Sequence, residues 1–314
     1  MDWFSHGFAG VLVASSGFEK HYGPWCIPIC VAASFIPDLD NLAILLGRPR
    51  YYRVHRQFSH SVPVALVLAL AAAFAFSFFF PGIPLWALSL MCIFSVGFHL
   101  FLDWCTTFGT ALLLPFSSRR FSLDLVGNND YFLAGWMGIA GVAALVFRGI
   151  AQPAAIVGFA VVAVYLLVRF SIRGTLLSIE RMVRGGNVWV FPSMTSALSW
   201  RIFSRDRRGY ELREVSLVRG RVKRARWFPF PTRHRKWVRR AASLREARLV
   251  ISRARLPYAR VVETVGGEVV LWQDLLFFWR REWGFFTAYA QFSKDGTLIS
   301  HGFGIPRIIR TYRH

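Results

Sequence analysis

Among the histidine and aspartate residues of the N-terminal half, seven lie in or beside apolar segments and toward one predicted membrane face. They are His6, Asp38, Asp40, His55, His60, His99 and Asp103. Ionisable side chains within apolar, membrane-type segments are costly, so such residues are usually functional. Mixtures of imidazole and carboxylate suit zinc, with manganese or iron as alternatives, rather than calcium. These residue types therefore predict a divalent metal site. The expected ligands are Asp38, Asp40, His60, His99 and Asp103.

Spacing along the chain supports this prediction. His99 and Asp103 are four residues apart, so a helix places both side chains on one face, where they can share a metal ion. Asp38 and Asp40 are two residues apart and would diverge by about 200° on a regular helix. A kink after Pro37 would let both carboxylates point inward. Alternatively, one carboxylate binds the metal and the other orients a histidine ligand.

Four further residues have predicted roles around the metal. His6 and His55 are expected to act as additional ligands or as the acid and base, Arg56 to hold an anionic group, and Thr107 to hydrogen-bond a ligand or phosphate. Structural readings compete with these roles. An isolated histidine at a membrane interface is often only a polar group reaching water, and the two aspartates of the Pro37–Asp40 motif could pair with the arginines between 48 and 56.

Long apolar runs must position these side chains. A bilayer core of ~30 Å needs about 20 apolar residues per helix. Residues 62–80, 84–102, 131–147 and 153–168 qualify. Residues 24–46 also qualify apart from their two aspartates, and residues 6–17 form a short apolar segment. The sequence predicts an α-helical membrane bundle of about six membrane segments.

Basic residues orient the predicted helices. They cluster at 48–56, at 119–120 and after residue 170, and cytoplasmic loops are enriched in Lys and Arg. With six segments, all three clusters and both termini are cytoplasmic. The start of the sequence has no basic leader before its apolar run, so a cleaved signal peptide is not expected. The expected location is the cytoplasmic, or inner, membrane.

Charge divides the chain into two predicted domains. Of the 38 Lys and Arg residues, 9 precede residue 171 and 29 follow it, and the net charge is +2 before this point and +19 after it. We therefore expect a membrane domain at 1–170 and a basic cytoplasmic domain at 171–314. All four cysteines lie in the apolar half, where burial as small apolar side chains is favoured over a metal site at Cys26 and Cys30.

The C-terminal half has the features of a small, mostly β soluble domain. Residues 268–272 and 285–292 are typical of strands, the latter followed by a turn at 294–297, and a short helical stretch is expected at 234–249. Basic and aromatic residues alternate between Arg219 and Arg240. Such a pattern binds nucleic acid or anionic lipid headgroups. Tethering to a membrane favours the lipid headgroups and makes nucleic acid the less favoured partner.

Several short motifs resemble one known family. They are His6–Gly10, Pro37–Asp40, His55–Ser61, His99–Trp104, Thr106–Thr110 and Leu114–Ser117, with Asp130 as a looser match because Tyr131 follows it where the family often has proline. Together they resemble the YdjM-like predicted membrane-bound metal-dependent hydrolases. The resemblance covers most of residues 1–135 and implies metal-dependent hydrolysis without naming a substrate.

A hydrolase at the membrane surface is best placed to act on a lipid. The favoured function is therefore metal-assisted hydrolysis of a phospholipid ester or phosphoester at the cytoplasmic face, in which a divalent ion activates water and polarises the substrate. Two alternatives stay open. The same residues could relay ions or protons in a transporter, although no internal repeat is visible. The chain could also be a non-enzymatic membrane scaffold whose basic domain recruits a partner.

Overall fold

The computed structural model describes residues 1–194, 196–218, 220–278, 287–306 and 309. The chain divides into two compact units. The first unit comprises Met1–Asn41, Val54–Asp206 and Glu211–Arg226. The second comprises Leu42–Arg53, Arg207–Tyr210 and the described residues of Trp227–His314.

Helices dominate the N-terminal region. The α-helices are α1 (Trp3–Val13), α2 (Glu19–Tyr22), α3 (Cys26–Phe35), α4 (Arg48–Val54), α5 (Val62–Phe79), α6 (Leu85–Cys105), α7 (Tyr131–Val146) and α8 (Ala151–Arg184). A π-helical turn (Ala14–Phe18) follows α1, and 3-10 segments occupy Pro37–Leu46, Phe58–His60 and Arg148–Ile150.

Fewer helices qualify as membrane spans than the sequence predicted. Among the described residues, three are long and apolar enough to cross a bilayer: Val62–Phe79, Leu85–Cys105 and Arg148–Arg184. A fourth qualifies if Cys26–Phe35 and Pro37–Leu46, which meet at an angle of 50°, form one broken span. Helices α1 and α7 have 11 and 16 residues, below the usual length of a span. Six spans are thus not shown.

The break between the two halves of the fourth candidate span lies at Pro37. Proline lacks the N–H that a continuing α-helix needs, and it disfavours the helical conformation of the residue before it. The chain continues as 3-10 helix through Pro37–Leu46. This change of winding places Asp38 and Asp40 at the end of a helix, where they are no longer held to regular α-helical directions.

Close packing of α1 against α3 holds His6 in place. A Cβ atom added at Gly10 would lie 2.6 Å from the backbone of Val31 and 2.7 Å from that of Cys30. Only glycine allows this approach, as in other tightly packed membrane helices. All four cysteines are buried, as expected for small apolar side chains in this packing.

Two four-stranded antiparallel sheets follow the helices. The first has the order β1 (Val188–Pro192), β2 (Ser199–Arg205), β3 (Gly209–Ser216), β4 (Arg221–Pro229). The second has the order β5 (Pro257–Thr264), β6 (Gly267–Asp274), β7 (Ala288–Ser293), β8 (Leu298–Phe303). Between them lie a 3-10 turn (Thr232–His234), α9 (Arg235–Ala242) and α10 (Arg245–Arg253), and a further 3-10 turn (Leu275–Phe277) follows β6.

The predicted domain boundary at 170/171 lies inside α8, which continues to Arg184. Its C-terminal turns pack Ile172, Leu176 and Leu177 against the buried face of β1 and β2. Arg169 is buried, and its guanidinium lies 4.2 Å from the Trp200 ring. The rise in positive charge after residue 170 therefore begins within a continuous helix, and the C-terminal part of this helix packs against the first sheet.

In the second unit, Asp274 secures the start of β5. Its buried carboxylate accepts hydrogen bonds from the backbone N–H groups of Arg255, Leu256 and Leu276 at 2.8–3.1 Å. Burial outweighs these bonds and raises the pKa of Asp274 above its usual value.

The predicted helical stretch at 234–249 corresponds to α9 and α10. The predicted strand at 268–272 lies within β6, and the predicted turn at 294–297 joins β7 to β8. The predicted strand at 285–292 corresponds to β7 from residue 288 onward, whereas Phe285 and Phe286 lie outside the described residues.

Candidate metal centre

Four chain segments bring the predicted site residues together, and all of them belong to the first unit. They are the start of α1, the turn after Pro37, the segment 55–60 before α5, and the C-terminal turns of α6. His6, His60, His99 and Asp103 are fully buried, and Asp38 and His55 are almost so. The cluster therefore forms from residues up to 97 positions apart in sequence.

Four donor atoms face one another at the centre of the cluster. His60 Nε2 lies 3.3 Å from His99 Nε2, 3.5 Å from Asp38 Oδ1 and 3.3 Å from Asp103 Oδ2. His99 Nε2 lies 3.9 Å from each of the same two carboxylate oxygens. Two imidazole nitrogens and two carboxylate oxygens thus converge on a small volume.

The shortest of these separations match a tetrahedral metal ion, and His60, His99 and Asp103 form one compact set of possible ligands, as do His6, Asp38 and His99. Bonds of about 2.0–2.1 Å to histidine nitrogen and carboxylate oxygen place tetrahedral ligand atoms about 3.3–3.4 Å apart. Asp103 Oδ2 is buried and has no hydrogen-bond partner among the described residues, although His60 lies close to it. Such buried, unsatisfied groups are rare unless they serve a function.

Hydrogen bonds on the far side of each ring set the histidine tautomers. His99 Nδ1 lies 2.7 Å from the backbone carbonyl of Ser34, which can only accept, so Nδ1 carries the proton and Nε2 presents a lone pair. His60 Nδ1 lies 3.2 Å from Asp40 Oδ2. The Nε2 atoms of His60 and His99 lie 3.3 Å apart. Either a proton on His60 or a metal ion would therefore bridge the two rings.

Asp40 lies behind the histidines. Its Oδ1 lies 2.8 Å from His55 Nδ1, and its Oδ2 accepts from the Arg56 N–H and the Ser59 hydroxyl at 2.9 and 2.8 Å. Both oxygens are thus engaged by protein groups. Of the two arrangements left open by the sequence, this one favours Asp38 as the ligand and Asp40 as the residue that orients histidine.

Asp40→Asn should therefore weaken metal binding without abolishing it. The asparagine amide keeps the size of the side chain, but only its oxygen can accept hydrogen bonds because the other end is an NH2 group. The histidine rings would therefore lose one of the acceptors that orient them. Outer ligand-orienting groups typically contribute about 10–100-fold in metal affinity, and we expect a loss in this range for zinc, measured by competition with a chromophoric chelator. A loss as large as that of a direct ligand variant would contradict this position for Asp40.

Arg56 pairs with a carboxylate of the cluster. Its guanidinium donates to Asp103 Oδ1 and to the Thr106 hydroxyl, both at 2.8 Å, and it is buried. The backbone of Arg56 has φ of 57°, a left-handed conformation that is uncommon for a side chain of this size. This conformation lets its N–H reach Asp40 while its side chain reaches Asp103. Its predicted contact with a substrate anion stays a prediction.

His6 covers one side of the centre. Its ring stacks on that of His99, with centroids 3.6 Å apart and an angle of 19° between planes, and its Nε2 lies 3.4 Å from Asp103 Oδ1. Neither ring nitrogen has a hydrogen-bond partner among the described residues. The amino group of Met1 also contacts Asp103. His6 thus lies beside the proposed ligands, and its predicted role as a further ligand or as the acid or base stays a prediction.

Thr107 is buried at the end of the same segment. Its hydroxyl has no hydrogen-bond partner within the described part of the chain. The neighbouring Thr106 is the one that contacts Arg56. The predicted contact of Thr107 with a ligand or phosphate stays a prediction.

The carboxylates of the centre favour a positive charge on His60. Burial alone would lower the pKa of His60, but Asp103, Asp38 and Asp40 together outweigh it and raise this pKa to about 10. Burial lowers the pKa of His55 in spite of its hydrogen bond to Asp40. A metal ion at this centre would therefore compete with a proton on His60.

Sequence reasoning missed two contributors to the site. The Ser34 carbonyl that orients His99 is a backbone atom, so no residue type could reveal it. Thr106 appeared only as part of a motif, although it receives a hydrogen bond from Arg56 and bonds the Asp103 carbonyl at 2.8 Å.

Comparison with known proteins places this arrangement in a family. The sequence profile of the YdjM inner membrane protein family matches residues 1–176. The chain belongs to the YdjM inner membrane protein family. All residues of the candidate centre lie within the matched part of the chain. Together with its apolar helices, this membership identifies an integral protein of the inner membrane.

One curated relative gives a more limited comparison. The uncharacterized protein YfhP of Bacillus subtilis is 31% identical over 103 residues, which cover 33% of this chain and 32% of YfhP. The chain thus aligns with about a third of the length of this relative. No solved structure matches the chain significantly.

Proposed function

We propose that this YdjM family member is a metal-dependent hydrolase that acts on a phospholipid ester or phosphoester at the membrane surface. The observation that carries the proposal is the convergence of two imidazole nitrogens and two carboxylate oxygens at separations of 3.3–3.9 Å. When bound there, a divalent ion would supply Lewis acidity and would lower the pKa of a water molecule.

The residues of the centre would bind the ion, orient its ligands, balance charge and transfer a proton. Asp38, His60, His99 and Asp103 would hold the ion, Asp40 would orient the histidines, and Arg56 would balance the Asp103 charge. His55 is almost fully buried and its Nδ1 contacts Asp40, so its Nε2 would be the ring atom that takes up or releases a proton. Burial lowers the pKa of His55, which favours the neutral ring that can accept a proton.

The direct test is hydrolysis of defined phospholipids by the purified protein in vesicles. Headgroup release and phosphomonoester release, followed by mass spectrometry, would distinguish the bond that is broken. We expect turnover that stops on chelation and returns with zinc, manganese or iron. A protein that binds zinc stoichiometrically but cleaves no phospholipid would contradict the hydrolase proposal.

The proposed orientation places both termini in the cytoplasm, with six membrane segments, α1 and α7 included. A reporter that works only in the cytoplasm should then be active when it is fused after His314, and a reporter that works only outside the cytoplasm should be inactive there. Cysteine introduced at Gly82, which is exposed and where an added Cβ would meet no described atom within 4 Å, should react with an impermeant reagent in intact cells. The four native cysteines are buried, so background labelling should be low. Labelling that occurs only after cell lysis would contradict this orientation and favour the opposite one.

We further propose that the basic C-terminal residues bind anionic lipid headgroups. The described basic residues of β4 and α9 are exposed, and Trp227 is 45% exposed beside them in sequence. Arg219 lies outside the described residues. Each Lys or Arg near an anionic surface contributes about 1 kcal/mol.

Hydrogen exchange in nanodiscs would test this second proposal. Phosphatidylglycerol, compared with phosphatidylcholine, should slow exchange in β4 and α9, and about 1 M salt should remove the difference because it screens charges beyond about 3 Å. Protection by an added oligonucleotide but not by phosphatidylglycerol would instead favour nucleic acid.

A further inference from the structure

An apolar groove runs along the first unit between α5 and α6. It has a volume of about 370 Å³, within the range of about 300–1,000 Å³ typical of small-molecule sites. Its lining includes Val62, Ala65 and Ala69 of α5 and Gly97, Leu100 and Trp104 of α6. None of the described side chains that line it is charged.

The groove begins beside the candidate metal centre. Val62 follows the segment that ends in His60, and its N–H donates to the Leu112 carbonyl at 2.9 Å. On α6, Leu100 and Trp104 directly follow His99 and Asp103 in sequence. The polar cluster and the apolar groove therefore share the same end of these two helices.

With this end at the membrane surface, as proposed above, the groove would extend into the bilayer. On α6 its lining runs from Trp104 back to Ile93, a helical length of about 16 Å. This is about half of the ~30 Å hydrocarbon core, which corresponds to one leaflet. A tryptophan at the polar end matches the usual place of this residue at the membrane interface.

Small side chains create the space. Ala65 and Ala69, four residues apart on α5, are buried in its floor. Gly97 of α6 is exposed, and a Cβ added there would meet no described atom within 4 Å. The groove also opens sideways, since Leu66 is 46% exposed. A single hydrocarbon chain fits a groove of this volume.

We propose that this groove binds one acyl chain of a membrane lipid whose polar end lies at the metal centre. The assignment of that polar end rests on the proposed function, but the groove itself does not need a metal to bind the chain. The substrate class would then be a lipid with an acyl chain in the same leaflet as the centre. Specificity would come from contacts along the groove as well as from the headgroup.

Photolabelling tests this assignment. The full-length protein is placed in phosphatidylethanolamine and phosphatidylglycerol vesicles that contain a phosphatidylethanolamine with a diazirine in the middle of one acyl chain. After irradiation, labelled peptides are mapped by mass spectrometry. We expect the groove residues of α5 and α6 to be labelled several-fold more than the lipid-facing side of α7.

Two glycine variants provide a matched comparison. Gly97→Leu should fill the groove and reduce its labelling to the level of α7. Gly135→Leu, on α7, also replaces an exposed helical glycine whose added Cβ would meet no described atom within 4 Å, and it should leave groove labelling unchanged. Monodispersity in detergent and zinc binding should equal those of the wild type for both variants.

The outcomes separate this proposal from the proposed function. Groove labelling should be the same before and after chelation, so failure of the metal or hydrolysis assays would leave the proposal intact. Equal labelling of the groove and α7, or labelling unaffected by Gly97→Leu, would overturn it. Crosslinks through the groove to a second copy of the chain would also overturn it, because a protein partner would then occupy the site.

Discussion

Replacing His99 with glutamine, or Asp103 with asparagine, should lower the zinc affinity of the purified protein by more than about 100-fold. Each residue supplies one of the four converging donor atoms. Loss of a group that only orients a ligand costs about 10–100-fold, so loss of a direct ligand should exceed this range. Both replacements keep the approximate size of the side chain, so packing in the bundle should survive. Competition with a chromophoric chelator measures the affinity.

His234→Gln is the matched control for these variants. His234 lies in the second unit, where its Nε2 is 3.1 Å from Glu263, so its loss should not change zinc affinity. Size-exclusion profiles in detergent establish that each variant is folded. Unchanged affinity in folded His99→Gln and Asp103→Asn proteins would show that these residues do not hold a metal.

Among single substitutions in the centre, Arg56→Met should lower the stability of the metal-free protein the most. With metal bound, we expect a smaller effect. The substitution removes one of the cations that face the buried Asp103 carboxylate, and loss of a buried ionic partner typically costs about 3–5 kcal/mol. The Met1 amino group, which also contacts Asp103, would offset part of this cost. For a protein of this size, we expect the Tm of the chelated protein to fall by about 6–20 °C. Zinc should shrink the difference between variant and wild type, because a cation at the centre offsets the same carboxylate.

The Arg56→Met, Asp103→Asn double variant provides the control for charge. Removing the carboxylate removes the cause of the penalty, so the double variant should be more stable than Arg56→Met alone in chelator. A Tm difference that is the same with and without zinc would contradict the account, since it would mean that no cation reaches Asp103.

The helices and the membership of the cluster could be predicted from the sequence for a simple reason. Charged and polar side chains stand out in apolar runs, and the spacing of His99 and Asp103 follows directly from helix geometry. The strand β6 and the hairpin between β7 and β8 were also predictable, because alternation and turn residues are local signals. The structure places β6 and the turn between β7 and β8 where the patterns indicate.

The partners of each side chain were not predictable. Two-residue spacing leaves Asp38 and Asp40 ambiguous, and only the unwinding after Pro37 assigns Asp40 to the histidine Nδ1 atoms. Arg56 was expected to face a substrate because arginine suits anions, but the nearest anion is Asp103 of the chain itself. The number of spans was overestimated because apolar composition alone does not set helix length, as α1 and α7 show.

X-ray absorption on the purified wild-type protein measures whether the histidine and aspartate cluster binds a divalent metal ion. We expect about one zinc, manganese or iron ion per chain. For zinc, we expect a shell of nitrogen and oxygen ligands at about 2.0–2.1 Å with imidazole scattering. Protein that takes up no metal, or a sulfur shell at about 2.3 Å that indicates cysteine ligands, would contradict metal binding by this cluster.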